Sequence, residues 1–294
     1  MTTQIDLSQL PAPEVLEQIS YEQIVADIKA AVIEIMPEMA PVLAIPTEPA
    51  VKIIEVCAYF VMLTRARVND AARAVMLAYA TGADLEHLAA LYGVQRLAVT
   101  PANPNASPPV AAVMETDAAL RARVQLAPEG FTVAGPRGAY LFHALSADGD
   151  VLDAAVASPA PGDVLVTVLS RSGNGAASPA LLAAVSGALN AEDVRPLCDN
   201  VSVQAATIIS YAVNAQLEFF DGPDPSVILS AAQAALQAYV DECRKIGRPV
   251  RISGIHAAVH RPGVSRVTLV SPVADIVPTA TQSAFCTSRS VTAA

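Results

Sequence analysis

Between residues 65 and 95 the apolar positions repeat with a helical period. Val68, Ala72, Val75 and Tyr79 stand at i, i+4, i+7 and i+11, one stripe of a helix. Arg65, Asn69 and Arg73 form a polar stripe on the same helix, and Asp70 follows Arg67 by three positions, the spacing of a weak ion pair. The pattern extends back to a cap at Thr47, with Pro49 tolerated in the first turn. Carried to Ala80, it predicts a helix of roughly 30 residues or more, about 45–50 Å long at the helical rise. Thr81-Gly82 is the expected break, because glycine adopts the left-handed conformation of a C-terminal cap. Asp84 then opens a short helix with Leu85, Leu88, Ala89 and Tyr92 on one face, closed by Gly93.

The rest of the chain separates by period. Residues 1–13 read as an extended arm ending at Pro11-Ala12-Pro13, and Ser20 to Gln23 match a capping box ahead of Ile24, Ile28, Ala31 and Ile35. Pro37 stops that helix. TPANPNASPPV, within residues 100–110, reads as a proline-rich linker. Beyond it come a short helix capped by Thr116 or Asp117, the glycine-rich GFTVAGPRG over 130–138, and a helix at about 136–146. From Val151 the period becomes two. Val151–Ala157 and Val164–Ser170 predict a hairpin, Ser178-Pro179 opens a helix, and a strand follows at 201–208. In the next strand Ile209, Tyr211, Val213, Ala215, Leu217 and Phe219 alternate with polar residues, so one face is covered and the other wet.

Asp221-Gly-Pro-Asp-Pro225 turns into a helix with Ile228, Ala232, Leu236 and Cys243 on its apolar face. A short helix at about 253–260, a strand at 264–270 and a Ser/Thr-rich tail expected to fray or to dock on a neighbour follow. The fold class is α+β: a helical N-terminal region, then mixed α/β modules with small, partly antiparallel sheets. The expected division is 1–100 helical, 101–110 linker, 111–150 short helices and loop, 151–208 a first module, and 209–294 a second module with the tail. Arg195-Pro196-Leu197 and Arg248-Pro249-Val250 occupy similar places in the two modules, a weak internal repeat.

Composition sharpens this in one respect. Apolar residues are 53% of the chain, yet aromatics are 4% and tryptophan is absent. The cores are therefore aliphatic, and the surplus predicts apolar surface kept for partners. A net charge of −10, from 18 Lys+Arg against 28 Asp+Glu, opposes nucleic-acid binding. The N-terminus lacks the basic-then-apolar pattern of a signal peptide, and no uncharged run predicts a membrane span. Cys57, Cys198, Cys243 and Cys286 form no CxxC pair; they read as small buried hydrophobes in a reducing compartment, neither disulfide frame nor zinc site.

No motif in the chain assembles catalytic chemistry. His256 and His260 have the i, i+4 spacing of a metal pair but no HExxH glutamate and no third ligand, so they read as polar residues on a helix face. His87 and His143 read as core-edge histidines. The 130–138 loop, with Arg137, lacks the GK[ST] of a phosphate cradle, and no GxSxG elbow is present. Asp148-Gly149-Asp150 and Asp221–Asp224 read as turns, not calcium loops. Residues 82–94 have the outline of a helix-turn-helix, but Asp84 and Glu86 stand where base-reading groups belong. No catalytic, cofactor or metal residue is assigned. The partner-interface candidates are Arg65, Arg67, Asn69, Asp70 and Arg73, for charge-specific docking to another subunit.

Four stretches carry a resemblance: RARVNDAARAVMLAYATGADLEHLAALYGVQRL, LAPEGFTVAGPRGAYLFHALSADG, VLDAAVASPAPGDVLVTVLSRSGNG with LNAEDVRPL, and GRPVRISGIHAAVHRPGVSRVTLVSP. In this order they resemble the baseplate assembly protein J family, wedge subunits of contractile-tailed phages and contractile bacteriocins. The resemblance spans nearly the whole chain. It implies a structural protein without catalytic residues, located in the baseplate of a virion or bacteriocin particle and assembled in the host cytoplasm. The partners it implies are a second copy, a baseplate protein I-like wedge subunit, a lysozyme-like wedge protein linking to the sheath, and neighbouring wedges; it implies neither nucleic acid nor membrane insertion.

Overall fold

The structure is a computed structural model that describes residues 5–11, 13–222 and 224–294. It divides into two compact units, with the division at Gln95/Arg96. The expected arm over 1–13 lies partly outside the described residues; within it Leu7–Gln9 form a single 3-10 turn.

In the N-terminal unit, α1 (Tyr21–Ile35) begins where Ser20 Oγ accepts from the Gln23 amide at 3.3 Å. Only this half of the capping box forms, because the Gln23 side chain donates instead to Asp27 at 2.8 Å. Pro37 ends α1 by excluding helical geometry at Met36. A 3-10 turn (Pro37–Met39) and the four-residue α2 (Ala40–Leu43) lead to α3 (Pro49–Ala74). Leu43, Val51 and Ile54 close a small aliphatic core against Val25, Ile28 and Val32 of α1. Lys29 Nζ donates to the Leu43 carbonyl at 3.0 Å, and the Tyr21 hydroxyl to the Glu55 carbonyl at 3.2 Å, which fixes α1 along α3.

Two details of α3 differ from the expectation. Its N-cap is Glu48, not Thr47, and it stops after 26 residues at Ala74, not at Ala80. No glycine or proline marks that end. Turn hydrogen bonds over 73–80 bring Ala80 into a buried position, and α4 (Gly82–Ala90) then buries Leu85 and Ala89. Gly82 does take a positive φ of 53°, but as the first residue of α4. His87 on α4 is exposed, not core-edge.

The second unit starts with β1 (Ala98–Thr100) and β2 (Val113–Met114), paired antiparallel, so the proline-rich stretch forms the loop of a small hairpin. Thr116 caps α5 (Asp117–Leu126), and a 3-10 turn (Ala127–Phe131) precedes α6 (Arg137–Ala147). Glu115 and Arg123 are both buried and joined as an ion pair, with Arg123 Nε donating to Glu115 Oε2 at 3.2 Å. Glu115 Oε1 also accepts the Leu97 amide at 3.0 Å, so the hairpin is clamped to α5 by one carboxylate. The turn into β3 is sterically closed to other residues: a Cβ at Gly149 would lie 2.2 Å from the Ala98 carbonyl oxygen.

The middle module is a three-stranded sheet, β3 (Val151–Ala157), β4 (Asp163–Ser170) and β5 (Asn200–Ala205), in the order β3-β4-β5. β3 and β4 form the expected antiparallel hairpin, and β4 and β5 run parallel around the crossover helix α7 (Pro179–Leu189). Tyr140 and Ala144 of α6 and Leu181, Val185 and Leu189 of α7 cover Val166 and Val168 of β4. The Tyr140 hydroxyl donates to Asp199 at 2.7 Å; burial and that carboxylate raise the phenol's pKa.

The C-terminal module repeats the mixed pattern in the order β7-β6-β8. Central β6 (Thr207–Phe219) is antiparallel to β7 (Val264–Ser271) and parallel to β8 (Gln282–Ala293). α8 (Pro225–Cys243) and α9 (Ile252–Val259) bury Leu236, Val240, Ile255 and Val259 against Val213 and Leu217. The Ser/Thr-rich tail is therefore neither frayed nor loose: it is β8, with Ala284, Cys286 and Val291 buried. Cys243 and Cys286 are buried thiols, whereas Cys57 and Cys198 are exposed, against the expectation of four buried ones.

Glu115→Ala leaves Arg123 buried without its carboxylate, and the expected cost is about 3–5 kcal/mol. Equilibrium urea denaturation of the variant beside the parent chain measures it, and a loss below about 1 kcal/mol contradicts the clamp.

Candidate interaction surface

The chemistry-bearing residues resolve into structural roles. Asp150 accepts from Ser170 Oγ at 2.6 Å and from Ser172 Oγ at 2.7 Å, and Asp224 caps α8 by accepting the Ser226 amide at 2.8 Å. The bonds from Ser226 hold the Asp224 carboxyl below its usual range. Over the first turn of α6, where a phosphate would sit, stands Glu129: a Cβ on Gly138 would lie 2.5 Å from its carboxylate oxygen. His143 is partly buried, which lowers its pKa, and His256 and His260 sit at the end of α9. Among the described residues no three His, Cys, Asp or Glu converge on a metal position. No described helix is long and apolar enough to cross a membrane.

What the N-terminal unit does present is uncovered apolar helix. From Ile53 onward, one face of α3 lies outside the core formed with α1 and α2. Ile53, Val56, Phe60 and Leu63 stand at i, i+3, i+7 and i+10, the a/d spacing of a coiled-coil seam, with Ile53 65% and Phe60 61% exposed. Val68 and Val75, from the stripe noted in the sequence, are exposed as well. Covering one such side chain contributes about 1.5–3 kcal/mol.

The five interface candidates divide. Asn69 is only 6% exposed and points inward, accepting the Glu17 amide at 3.1 Å and donating to the Glu17 carbonyl at 2.9 Å. It anchors the root of the N-terminal arm as a backbone-like partner. Arg65 is exposed and lies 3.8 Å from Glu17, a contact worth under about 1 kcal/mol. Asp70 pairs with Arg73 at 3.3 Å, where the sequence suggested Arg67. Asp70 and Arg73 also line a cleft of about 250 Å³ at the break between α3 and α4, together with Tyr79 and Asp84. Arg67 is exposed one heptad after Phe60. The seam escaped the sequence reading, although its i, i+3, i+7 spacing was the available signal.

The second unit carries two further open features. Phe131, Val133 and Leu197 are exposed on loops of the middle module, Leu197 at 98%. Between the middle and C-terminal modules lies a cleft of about 810 Å³, walled by Asp153–Val156 of β3 and by Lys245–Arg248. Asp153 accepts the Ile246 amide at 2.9 Å, and Arg244 donates to the carbonyls of Arg171 and Gly173 at 3.1 and 3.0 Å while stacking over Phe285 at 5.2 Å. Burial raises the Asp153 pKa; the Ile246 and Ala154 amides and the Lys245 charge oppose that shift.

Comparison with known proteins gives a consistent result along the chain. Residues 47–103 match the family model of the baseplate J-like N-terminal domain, 132–205 that of the baseplate J-like central domain, and 211–292 that of the baseplate J-like protein C-terminal domain. Baseplate protein J of Escherichia phage P2 is 49% identical over 288 residues, covering 96% of this chain and 95% of that protein. A chain in the cryo-EM structure of the anti-feeding prophage baseplate is 18% identical, with a TM-score of 0.37, over 62% of this chain and 43% of that one.

Asn69→Ala removes both bonds to Glu17, with an expected loss of about 1–2 kcal/mol and faster proteolytic cleavage within residues 5–17. Limited proteolysis followed by mass spectrometry reads the second effect, and an unchanged cleavage rate contradicts the anchor. Asp153 gives a pH signature. Because its folded pKa lies above the unfolded one, the folded state binds the proton more tightly, and its stability contribution falls as pH rises through the folded value. Relative to Asp153→Asn, the parent chain gains stability as pH is lowered through that window, as followed by denaturation at a series of pH values.

Proposed function

This chain belongs to the baseplate J-like family, whose members are structural baseplate proteins and not enzymes; from that premise we propose that it is the wedge subunit of a contractile tail. The observation that carries the reading is the 49% identity to Baseplate protein J of phage P2 along essentially the full length of both chains. Two copies join one baseplate protein I-like subunit in each wedge. Neighbouring wedges close a ring around the hub, and a lysozyme-like wedge protein links the ring to the sheath. The particle is a phage or a phage-like bacteriocin, built in the host cytoplasm.

The exposed seam of α3 supports a helical wedge core, since Ile53, Val56, Phe60 and Leu63 need a second helix to leave water. Arg67 and Asp70 continue the seam's spacing and, with Arg73 paired to Asp70, give the contact its charge specificity and register, while Arg65 lies on the Glu17 side of the helix. Asn69 braces the arm from the inner side. The ring holds before infection and rearranges when the tail fires. That coupling requires interfaces with two packings of similar free energy, so that a small bias at one contact moves the population.

Co-expression with the I-like tail protein, with the mass of the purified complex determined by light scattering, tests the proposal. A two-to-one heterotrimer is expected, and a well-folded monomer alone overturns it. Phe60→Asp with Leu63→Asp places charge in the seam without disturbing the fold, because both side chains are exposed in the free chain. The pair is expected to weaken association at least about a hundredfold, from the loss of two buried apolar contacts.

A further inference from the structure

The middle and C-terminal modules lie in one unit, yet each has its own apolar core. Val166, Val168 and Leu181 belong to one, Val213, Leu217 and Leu236 to the other, and the two cores share no residue. Among the described residues no helix or strand of one module packs broadly on a helix or strand of the other, and the cleft of about 810 Å³ lies between them. The covalent link is equally narrow. β5 ends at Ala205 and β6 begins at Thr207, so a single residue, Ala206, separates the two sheets. Its amide donates to the Val168 carbonyl of the middle sheet at 2.8 Å, and the next amide, of Thr207, donates to the Thr281 carbonyl of the C-terminal module at 3.0 Å. Bodies with separate cores and a small polar interface move relative to one another by default, and a residue at the end of an element can absorb the rotation.

One short segment resists that motion. Among the described residues, the hydrogen bonds that cross between the modules away from Ala206 all leave 244–246. Arg244 Nη2 donates to the carbonyls of Arg171 and Gly173 at 3.1 and 3.0 Å, and the Ile246 amide donates to Asp153 at 2.9 Å. The segment belongs firmly to its own module, because the Gly247 amide bonds the Gln282 carbonyl at 2.8 Å and the Val250 amide the Ile276 carbonyl at 2.9 Å. The crossing contacts are polar and directional, so a rotation of a few ångströms breaks them while both apolar cores stay intact. Water can replace each partner at the open cleft, which keeps the net cost of release modest. Arg244 Nε is buried without a hydrogen-bond partner, so the residue that makes two of the three bonds is itself held at a cost.

We propose that the middle and C-terminal modules pivot about Ala206, and that Arg244 and Ile246 form the latch that holds them, through Arg171, Gly173 and Asp153, against opening of the cleft. Latched and open arrangements keep the same two cores and differ in three hydrogen bonds. The device is a two-state element of the kind that the wedge reading calls for, and it rests on that reading only for its use. It is read in one chain in solution, so its failure is distinct from a failure to form the wedge complex.

The distance between two spin labels, measured by pulsed electron resonance on the full chain, tests the pivot. One label sits on the native Cys198, exposed on the middle module, and the other on Ala234→Cys, exposed on α8; Cys57→Ser removes the other exposed thiol. Arg244→Ala with Asp153→Ala is expected to shift the latched-to-open ratio at least about tenfold, from the loss of three hydrogen bonds. A broadened or second distance shows that shift, with circular dichroism showing the fold retained, and an unchanged distance distribution overturns the proposal. Hydrogen exchange of the parent chain, followed residue by residue, needs neither substitution and decides the matter if the double variant fails to fold. The Ile246 amide is expected to exchange at least about tenfold faster than those of Val168 and Val213, on the central strands of the two sheets, because it is freed by opening alone. Equal protection of all three overturns the latch.

Discussion

Apolar surface must be covered in layers, and this chain has too few layers to cover all of its own. The two three-stranded sheets of the second unit each receive two helices on one face, which satisfies the requirement locally. α3 does not. Its first turns are covered by α1 and α2, and the stretch from Ile53 to Val75 then presents one aliphatic or aromatic side chain after another to solvent. Part of the excess of aliphatic residues noted in the composition lies on this exposed face of α3.

The second unit is held by a handful of polar contacts between separate elements. Glu115 meets both Arg123 and the Leu97 amide; Asp153 meets Ile246; Arg244 reaches the carbonyls of Arg171 and Gly173. Arg244 Nε is buried with no hydrogen-bond partner, so that residue bears a desolvation cost that its two carbonyl bonds and the Phe285 ring offset. Directional contacts of this kind set geometry more than they add stability. The Asp153 and Arg244 contacts position the middle module against the C-terminal one and so wall the cleft between them.

Much of this was legible in the sequence, for reasons that are local. The alternation from Ile209 to Phe219 gave β6 its covered and wet faces, and Ser20, Thr116 and Ser178 were readable as caps because capping depends on three or four adjacent residues. The family was legible from whole segments in order. What escaped was non-local. α3 ends at Ala74 without a breaker, because turn bonds and the burial of Ala80 decide it. β8 reads as a polar tail until β6 is beside it. Asn69 sits in a polar stripe by sequence, yet it turns inward because Glu17, far away in the chain, offers a peptide group to pair with. The seam at 53–63 had the right period, but nothing in one chain says that a helix face will stay uncovered.

The parallel pairing of β6 with β8 has a consequence for how the chain reaches its native state. Thr207 pairs with Gln282 and Leu217 with Ala293, with α8, α9 and β7 between the two strands in sequence. Closing a loop of about seventy residues is slow relative to forming a helix or a hairpin. Until it closes, β6 has a bare edge and an uncompleted apolar face, the state in which strands recruit the wrong neighbour. The late-closing edge of β6 is therefore the place where the folding chain is most open to mispairing.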